Sequence, residues 1–327
     1  MRNNKPPFEI TNRMITEIAE ISELLGKLSL PAGDAELLLR WENRIRTVQG
    51  TLAIEQNTLS LEQVTAVLNG KHIIAPPKDI AEVRNAYEIY EHLDELDPYS
   101  EDDLLKAHGI MMRGLTEDAG EYRAKAVGVA DAEGRILHFG ALPRYVPDLM
   151  TELLEWTERS DVHILIRSCV FHYEFELIHP FSDGNGRMGR LWHTLLLSRW
   201  NPLFAWLPVE SMIYAHQAEY YAAINASNDA GESTAFIEFM LSILHASLME
   251  TAEMRDGMRD AKSDAAALRR YTILTYLGQH ETVSNGDVRA LLNVSAATAN
   301  RVLNALTEDG TLCRVRVAGH WAYRKTE

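Results

Sequence analysis

The residues of this chain most able to do chemistry lie together in Ile178–Arg190, which reads Ile-His-Pro-Phe-Ser-Asp-Gly-Asn-Gly-Arg-Met-Gly-Arg. Pro180 disfavours helical geometry at His179, so we expect a helix to end there and leave the imidazole at the mouth of a loop. Gly184 and Gly186 allow a tight turn whose N–H groups face inward. A second helix beginning near Gly186 would point its positive end at the same hollow, which predicts an anion cradle.

Charged side chains flank this predicted anion cradle. Arg187 and Arg190 stand three residues apart in the first turn of the second helix, where they supply two charge-assisted donors. Asp183 is a hard oxygen ligand, suited to Mg²⁺ that is shared with phosphate oxygens. Together with His179 as a base, these residues predict a polyphosphate site where a hydroxyl attacks a phosphorus atom.

Other readings of the stretch explain less of it. Asp183–Gly186 resembles the middle of a calcium loop, but that register puts Phe181 and Trp192 at positions that require carboxylates. An ordinary capped helix start accounts for the glycines and the aspartate, but not for His179 together with Phe181. The chain has no Gly-x-x-x-x-Gly-Lys-Ser/Thr pattern, which removes the commonest rival phosphate site.

His179 to Arg190 matches the signature of the Fic family, His-x-Phe-x-Asp/Glu-Gly-Asn-Gly-Arg-x-x-Arg, at each specified position. The chain therefore resembles that family, over roughly residues 35 to 255. The resemblance implies transfer of AMP from ATP to a Ser, Thr or Tyr hydroxyl of a target protein, with Mg²⁺ or Mn²⁺ as cofactor. It makes His179 the general base and Asp183 the holder of the metal ion. The phosphate-binding residues that it implies are Gly184, Asn185, Gly186, Arg187 and Arg190.

Thr51–Glu55 resembles the inhibitory motif of the same family, Ser/Thr-x-x-x-Glu-Gly/Asn. The resemblance implies that Glu55 pairs with Arg190, which removes the arginine from service and repels the γ-phosphate. Gln56 departs from the pattern, which expects Gly or Asn, although Asn57 follows at once. The alternative is that Glu55 is an ordinary solvated carboxylate on a helix.

Two further parts of the family's core have counterparts here. Gly120–Arg123, followed by a hairpin over residues 127–142, resembles the entry and flap that hold an extended target segment by strand addition. An ordinary surface hairpin would give the same local pattern. Tyr220, Tyr221 and Asn225 stand where the family often presents nucleobase contacts, although aromatic residues at helical spacing also suit a core.

The elements that must position these residues are mostly helices. Before residue 260, apolar residues recur at helical spacing, as in Leu37, Leu38, Trp41, Ile45 and Val48, with a break predicted at Gln49-Gly50. Ser60–Gln63 has the form of a capping box for a helix that stops at Gly70, and Ser100 is the predicted cap of another helix. Helices over roughly 161–178 and 187–200 flank the motif, and 131–134 forms the turn of the hairpin.

The C-terminal segment differs from the rest of the chain. After a polar, alanine-rich linker at Met254–Ala267, the order from Leu268 is three helices and a hairpin joined by Ala318-Gly319, which is the order of a winged helix-turn-helix. Residues 261–327 hold nine Lys/Arg and six Asp/Glu, a balance of +3, so the other 260 residues carry −18. Such a domain can bind DNA, dock on another protein or join a second copy of the chain. The basic residues that could contact DNA phosphates are Arg289, Arg301, Arg314, Arg316, Arg324 and Lys325.

Composition limits the class of protein. The 327 residues, 46% apolar and 24% charged, suit an ordinary globular chain of two or three domains, and the net charge of −15 argues against nonspecific coating of nucleic acid. No unbroken apolar run is long enough to span a bilayer, and the polar Met1–Pro7 is not a signal peptide, so we expect no membrane partner. Cys169 and Cys313 lie far apart, which predicts reduced thiols and a cytoplasmic location.

The sequence thus predicts a mostly α fold: a helical core of the Fic type with a short β-hairpin flap, and a small winged helix-turn-helix. The expected domains are residues 1–95 with the inhibitory motif, 96–257 as the catalytic core and 265–327 as the winged helix, with a homodimer plausible from the resemblance. Two other functions stay open. One is removal of AMP from a modified protein, with Glu55 positioning the attacking water. The other is DNA-binding regulation with the core as nucleotide sensor.

Overall fold

The computed structural model of the chain describes residues 5–28, 34–130, 136–260, 269–270, 272–274, 276–277, 280–292, 294–317 and 320–326. Within these ranges the chain is mostly helical, with two separate two-stranded antiparallel hairpins, which confirms the predicted fold class. The chain divides into two compact units. The first holds residues 1–29, 43–64 and 74–251; the second holds 30–42, 65–73 and 252–327. The predicted division into three domains stays a prediction.

The helices up to residue 260 carry the motif and its surroundings. In chain order they are α1 (Asn12–Lys27), α2 (Asp34–Ile54), α3 (Leu61–Leu68), α4 (Pro77–Glu91), α5 (Glu101–Met111), α6 (Val146–Arg159), α7 (Ile164–Ile178), α8 (Asn185–Trp200), α9 (Val209–Ala215), α10 (Gln217–Ala230) and α11 (Thr234–Asp260). Strands β1 (Gly128–Ala130) and β2 (Ile136–Phe139) lie between α5 and α6.

The core of the first unit is built around α7 and α8, which pack along each other. Both helices bury residues on nearly every side, including Phe171, Phe175, Trp192 and Leu195. Such helices cannot shift without opening voids, because protein interiors are close-packed. The loop that joins them, which is the predicted chemical motif, is therefore held at both ends by rigid elements.

The predicted break at Gln49-Gly50 is wrong, because α2 continues through Gly50 to Ile54. A Cβ at Gly50 would lie 2.6 Å from the backbone nitrogen of Ser211 and 2.7 Å from the carbonyl carbon of Glu210. Glycine is present here because the helix backbone passes close to the start of α9, not because the helix ends. The consequence is that Thr51–Glu55 is the last turn of a long helix rather than a separate segment.

Other local predictions are confirmed. Ser60 and Gln63 form the capping box at the start of α3: the Ser60 N–H donates to Gln63 Oε1 (3.0 Å), and the Gln63 N–H donates to Ser60 Oγ (3.3 Å). Ser100 caps α5, and Gly70 follows α3 with a positive φ of 71°. Ile45 and Val48 of the apolar face of α2 are buried. The side chains of Leu37 and Leu38 lie outside the described residues.

The first hairpin pairs β1 with β2, so that Gly128 lies opposite Phe139 and Val129 opposite His138. It stands between α5 and α6, upstream of the motif, where the sequence places the flap. The predicted turn at 131–134 lies outside the described residues. A role in holding a target segment stays a prediction.

One helical stretch, Thr234–Arg255, is long and apolar enough to cross a membrane by length and composition alone. It is not an unbroken apolar run, since Glu238 and Glu250 interrupt it. Half of its most apolar window is buried within the structure, as in the core helix of a globular protein, so this is weak evidence for a membrane span.

The second unit contains the end of the chain. It holds α12 (Asn285–Leu292), α13 (Ala296–Glu308), β3 (Leu312–Val317) and β4 (His320–Lys325), and residues 269–270, 272–274 and 276–277 are also helical. Its core contains Ile273, Val283, Val288, Leu303 and Tyr323, among others. The order of helices followed by a hairpin confirms the winged helix-turn-helix. The predicted linker at Met254–Ala267 is wrong over residues 254–260, because α11 continues to Asp260. Residues 261–267 of that linker and the turn at 318–319 lie outside the described residues.

Candidate active site

His179 stands at the turn that ends α7. Its backbone adopts the left-handed conformation with φ 53°, which is uncommon for a residue other than glycine, and its N–H still bonds to the Phe175 carbonyl (2.9 Å). Pro180 explains why α7 ends here, because the residue before a proline is disfavoured in the right-handed helical region. His179 Nδ1 lies 3.3 Å from the Glu176 carbonyl oxygen. A proton on Nδ1 satisfies that contact and leaves Nε2 as the ring's proton acceptor.

The loop after His179 is closed by Asn185. Its side chain accepts from the Phe181 N–H (2.9 Å) and donates to the Phe181 carbonyl (2.9 Å). Both polar atoms of the amide are therefore engaged within the loop, so the side chain fixes the turn. The predicted contact between Asn185 and a phosphate remains a prediction, most naturally through its backbone N–H at the start of α8.

Gly184 and Gly186 meet different constraints in this turn. Gly184 has a φ of 83°, and a Cβ there would lie 2.7 Å from Met112 Sδ, so conformation and space both require glycine. A Cβ at Gly186 would lie 2.5 Å from Glu55 Oε1 and 3.0 Å from an amino nitrogen of Arg190. The carboxylate of Glu55 thus sits directly against the first turn of α8, where the free N–H groups and helix dipole attract an anion.

Arg190 is bound on several sides by the last turn of α2. Its Nη2 donates to Glu55 Oε1 (2.7 Å) and to the Thr51 carbonyl (3.1 Å), and its Nε donates to Thr51 Oγ1 (3.0 Å). Arg190 is 2% exposed, whereas the side chain of Glu55 is 30% exposed. Burial alone would lower the pKa of the Arg190 guanidinium, but the charge of Glu55 raises it above its ordinary value. The arginine is therefore firmly charged, and the carboxylate beside it retains a path to solvent.

The turn that carries Glu55 explains the family's preference for Gly or Asn at the next position. Gln56 has a φ of 66°. Its N–H bonds to the Ala53 carbonyl (3.0 Å), while the Asn57 N–H reaches back to the Leu52 carbonyl (3.0 Å). This is a Schellman motif, in which the left-handed position normally belongs to glycine or asparagine. Gln56 therefore holds a strained conformation at the end of the predicted inhibitory helix.

Asp183 and Arg187 form a second charged group at the motif. Asp183 Oδ1 accepts from the Gly184 N–H (2.6 Å) and from Arg187 Nη2 (3.0 Å), and its side chain is 52% exposed. Arg187 is buried and also donates to Glu82 Oε1 (3.2 Å), whose other oxygen accepts from Asn57 Nδ2 (2.8 Å). A half-exposed carboxylate beside an anion cradle suits Mg²⁺ shared with phosphates. Sequence reasoning missed Glu82, which lies 105 residues before Arg187.

His108 on α5 supports the same loop and was also missed. Its ring stacks on Phe181, with centroids 3.6 Å apart and planes 4° apart. Nδ1 accepts from the Gly120 N–H (2.9 Å), so Nε2 carries the proton and donates to the Asp183 carbonyl (3.0 Å). Burial lowers the pKa of His108, which favours this neutral form.

The predicted nucleobase contacts differ in their surroundings. Tyr220 is buried, and its hydroxyl lies 3.1 Å from His172 Nε2 within an aromatic cluster. Tyr221 is 45% exposed, and Asn225 is also exposed. The burial of Tyr220 favours a role in packing, so Tyr221 and Asn225 are the better candidates for contact with the nucleobase. The nucleobase contacts of all three residues stay predictions.

Comparison with known proteins decides which family this fold represents. The model of the Fic/DOC family matches residues 98–197, and that of the DeoR-like helix-turn-helix domain matches residues 269–318. A crystal structure of a Fic family protein from Desulfovibrio desulfuricans G20 is 41% identical to this chain, with 98% of each chain covered and a TM-score of 0.73. The chain belongs to the Fic family.

Curated relatives of this Fic protein carry names of one activity. It is 32% identical over 214 residues to protein adenylyltransferase fic-1 of Caenorhabditis elegans, and 26% identical over 245 residues to protein adenylyltransferase Fic of Nematostella vectensis. The matches cover 62% and 71% of this chain, but only 40% and 54% of those relatives. A structure of C. elegans Fic-1, 23% identical over 75% of this chain and 72% of that one, shares the fold with a TM-score of 0.63.

The strained Gln56 gives a prediction about the end of α2. Gln56→Gly should raise the free energy of unfolding by about 1 kcal/mol, because glycine adopts the left-handed conformation without a Cβ clash. Gln49→Gly is the matched control, since Gln49 lies inside α2. Glycine there should lower the free energy of unfolding by about 1 kcal/mol. Urea denaturation measures both. A Gln56→Gly protein less stable than wild type would contradict this account of the turn.

Proposed function

We propose that this Fic protein is a protein adenylyltransferase, which transfers AMP from ATP to a Ser, Thr or Tyr hydroxyl of a target protein. The observation that carries the proposal is that one short loop joins His179, at the end of α7, to the N-terminus of α8, whose first turns carry Arg187 and Arg190. A base beside an anion cradle suits attack of a hydroxyl on a phosphate. The names of the curated relatives support the same activity.

The residues divide the proposed reaction between them. His179 Nε2 takes the proton of the target hydroxyl, and the oxygen attacks the α-phosphorus of ATP. An O–P bond forms to the target while the bond from the α-phosphorus to its bridging oxygen breaks, and pyrophosphate leaves. Arg187, Arg190 and the N–H groups of α8 hold the leaving phosphates. Mg²⁺ or Mn²⁺ held by Asp183 would neutralise phosphate charge.

We further propose that Glu55 inhibits this reaction. The support is the position of its carboxylate, 2.7 Å from Arg190 and in contact with the Gly186 position. A γ-phosphate held by Arg190 would have to share that space with a like charge, which disfavours the productive placement of ATP. Basal transferase activity is therefore expected to be low.

Both proposals are tested by incubating the protein with Mg²⁺ and ATP labelled at the α- or γ-phosphate, and measuring labelled protein. Glu55→Gly should raise incorporation of α-label by tenfold or more, about what the loss of one charged competitor allows. Glu55→Gly/His179→Ala should incorporate none, because the base is absent. Glu62→Gly, an exposed carboxylate in the first turn of α3, is the control and should behave as wild type.

The outcomes separate the alternatives. Label from the γ-position would mean phosphate transfer and overturn AMP transfer. Equal labelling by wild type and Glu55→Gly would overturn inhibition. No labelling in any variant, together with release of AMP from a modified protein that is lost in Glu55→Gly, would establish AMP removal as the reaction.

For the C-terminal unit we propose docking on duplex DNA through the β3–β4 wing. The match to a DeoR-like helix-turn-helix supports this choice, and so does one face of the wing. There Arg314 and Arg316 lie 4.1 and 5.0 Å from the ring centroid of Trp321, which is 48% exposed. Exposed guanidinium groups held in place by an aromatic ring suit phosphate contacts.

Fluorescence anisotropy of the full chain with a labelled duplex at low salt tests the docking. Replacing Arg314 and Arg316 by alanine should weaken binding and reduce the salt slope by roughly 2. Arg159→Ala, on the surface of α6, is the control. Absence of binding at low salt, or equal binding by the double variant, would contradict it.

We also propose a cytoplasmic location. Cys169 and Cys313 support it, because two cysteines so far apart in the chain favour reduced thiols.

A further inference from the structure

Arg123 is a buried arginine outside the motif whose side chain binds backbone carbonyls from three parts of the chain. Its Nε donates to the His179 carbonyl (2.6 Å), and its Nη1 donates to that of Lys125 (2.8 Å). Its Nη2 donates to the carbonyls of Ala141 (2.5 Å) and Ile178 (3.3 Å). One side chain thus joins the chain before β1, the chain after β2 and the end of α7.

The charge of Arg123 is balanced in an unusual way. The side chain is buried, and the hydrogen-bond acceptors that it contacts among the described residues are backbone carbonyls. Burial lowers the pKa of the Arg123 guanidinium, so the carbonyl dipoles must offset its desolvation. An arginine suits this position better than a lysine would, because its five donors are spread over a planar fork, whereas the three donors of a lysine share one nitrogen.

Backbone hydrogen bonds join the same three parts. The Arg123 N–H donates to the Pro180 carbonyl (3.0 Å), the Ala141 N–H to that of Ile178 (3.1 Å), and the Gly140 N–H to that of Val127 (3.2 Å). A Cβ at Gly140 would lie 2.8 Å from Arg123 Nη2 and 3.0 Å from His179 Cβ. The base of the hairpin therefore packs directly against the histidine, without space for a side chain between them.

We propose that Arg123 is a positioning residue that couples the hairpin to the His179 base. Its guanidinium holds the left-handed turn at His179 and both ends of the β1–β2 hairpin as one hydrogen-bonded unit. A target segment paired with a hairpin strand is thereby presented at a fixed distance from His179 Nε2. This rests on the proposed AMP transfer for its consequence in activity, but the coupling itself is a property of the fold.

Hydrogen exchange tests the coupling without reference to activity. In Arg123→Lys, peptides covering 123–141 and 176–182 should both exchange faster than in wild type, while those from α6 stay unchanged. Arg159→Lys makes the same chemical change in an exposed ion pair of α6 and should alter neither region. Unchanged exchange in both regions, or faster exchange in 123–141 alone, would overturn the coupling.

The effect on activity is measured in the Glu55→Gly background, with α-labelled ATP for protein labelling and α,β-methylene-ATP with Mg²⁺ for nucleotide affinity. Adding Arg123→Lys should lower labelling on the order of 100-fold, as expected for a misplaced base and acceptor. The Kd of the ATP analogue should stay within about threefold, since the α8 cradle is untouched.

These readouts distinguish the possible failures. Unchanged labelling would overturn the positioning role, because the reaction would then not depend on Arg123. A Kd of the ATP analogue weakened as much as labelling would also overturn it, because Arg123 would then act on nucleotide binding. If Glu55→Gly itself labels no protein, the proposed transferase function fails, and the exchange experiment still decides the coupling. Thermal unfolding of each variant shows whether a loss reflects an unfolded protein.

Discussion

The ion pair between Glu55 and Arg190 is the interaction on which the rest of the site depends. It joins the last turn of α2 to the first turns of α8, at the point where a bound polyphosphate would meet the helix N-terminus. The pair can form only because α2 passes close to α9 at Gly50 and then turns sharply at Gln56. A side chain at Gly50, or a helix that continued past Gln56, would move the Glu55 carboxylate out of reach of Arg190.

In the proposed inhibition the ion pair must open before ATP is held productively, and its two residues differ in what they lose when it opens. Arg190 is buried and charged, so it needs an acceptor in every state of the protein, and leaving it without one would be strongly unfavourable. Glu55 is partly exposed, so water can solvate its carboxylate when the ion pair opens. Arg190 keeps its hydrogen bonds to Thr51 only while α2 stays in place. A γ-phosphate is an acceptor that could replace both Glu55 and Thr51. The strained conformation of Gln56 weakens the helix end, which in the proposed inhibition would favour release of Glu55 over a permanent block.

Sequence reasoning predicted the parts of the site that are local in the chain. The end of α7 follows from the His179-Pro180 order, and the pairing of Glu55 with Arg190 was expected from two family motifs. Gly50 was misread as a break, because a glycine needed for close packing and a glycine that ends a helix look alike in sequence. Glu82 and His108 went unnoticed, and Arg123 was noted only as the last residue of the entry to the flap. Each acts on the motif across 56 to 105 residues, and no periodic or motif signal indicates that contact.

Calorimetry with unreactive nucleotides shows whether Glu55 occupies the place of the γ-phosphate. The Kd values of α,β-methylene-ADP and α,β-methylene-ATP, each with Mg²⁺, would be compared in wild type and Glu55→Gly. If Glu55 occupies that place, wild type binds the two nucleotides with Kd values within about threefold of each other. Glu55→Gly then prefers the triphosphate by roughly 10- to 100-fold, the value of a charge-assisted bond to Arg190. An equal preference for the triphosphate in both proteins would contradict this placement of Glu55.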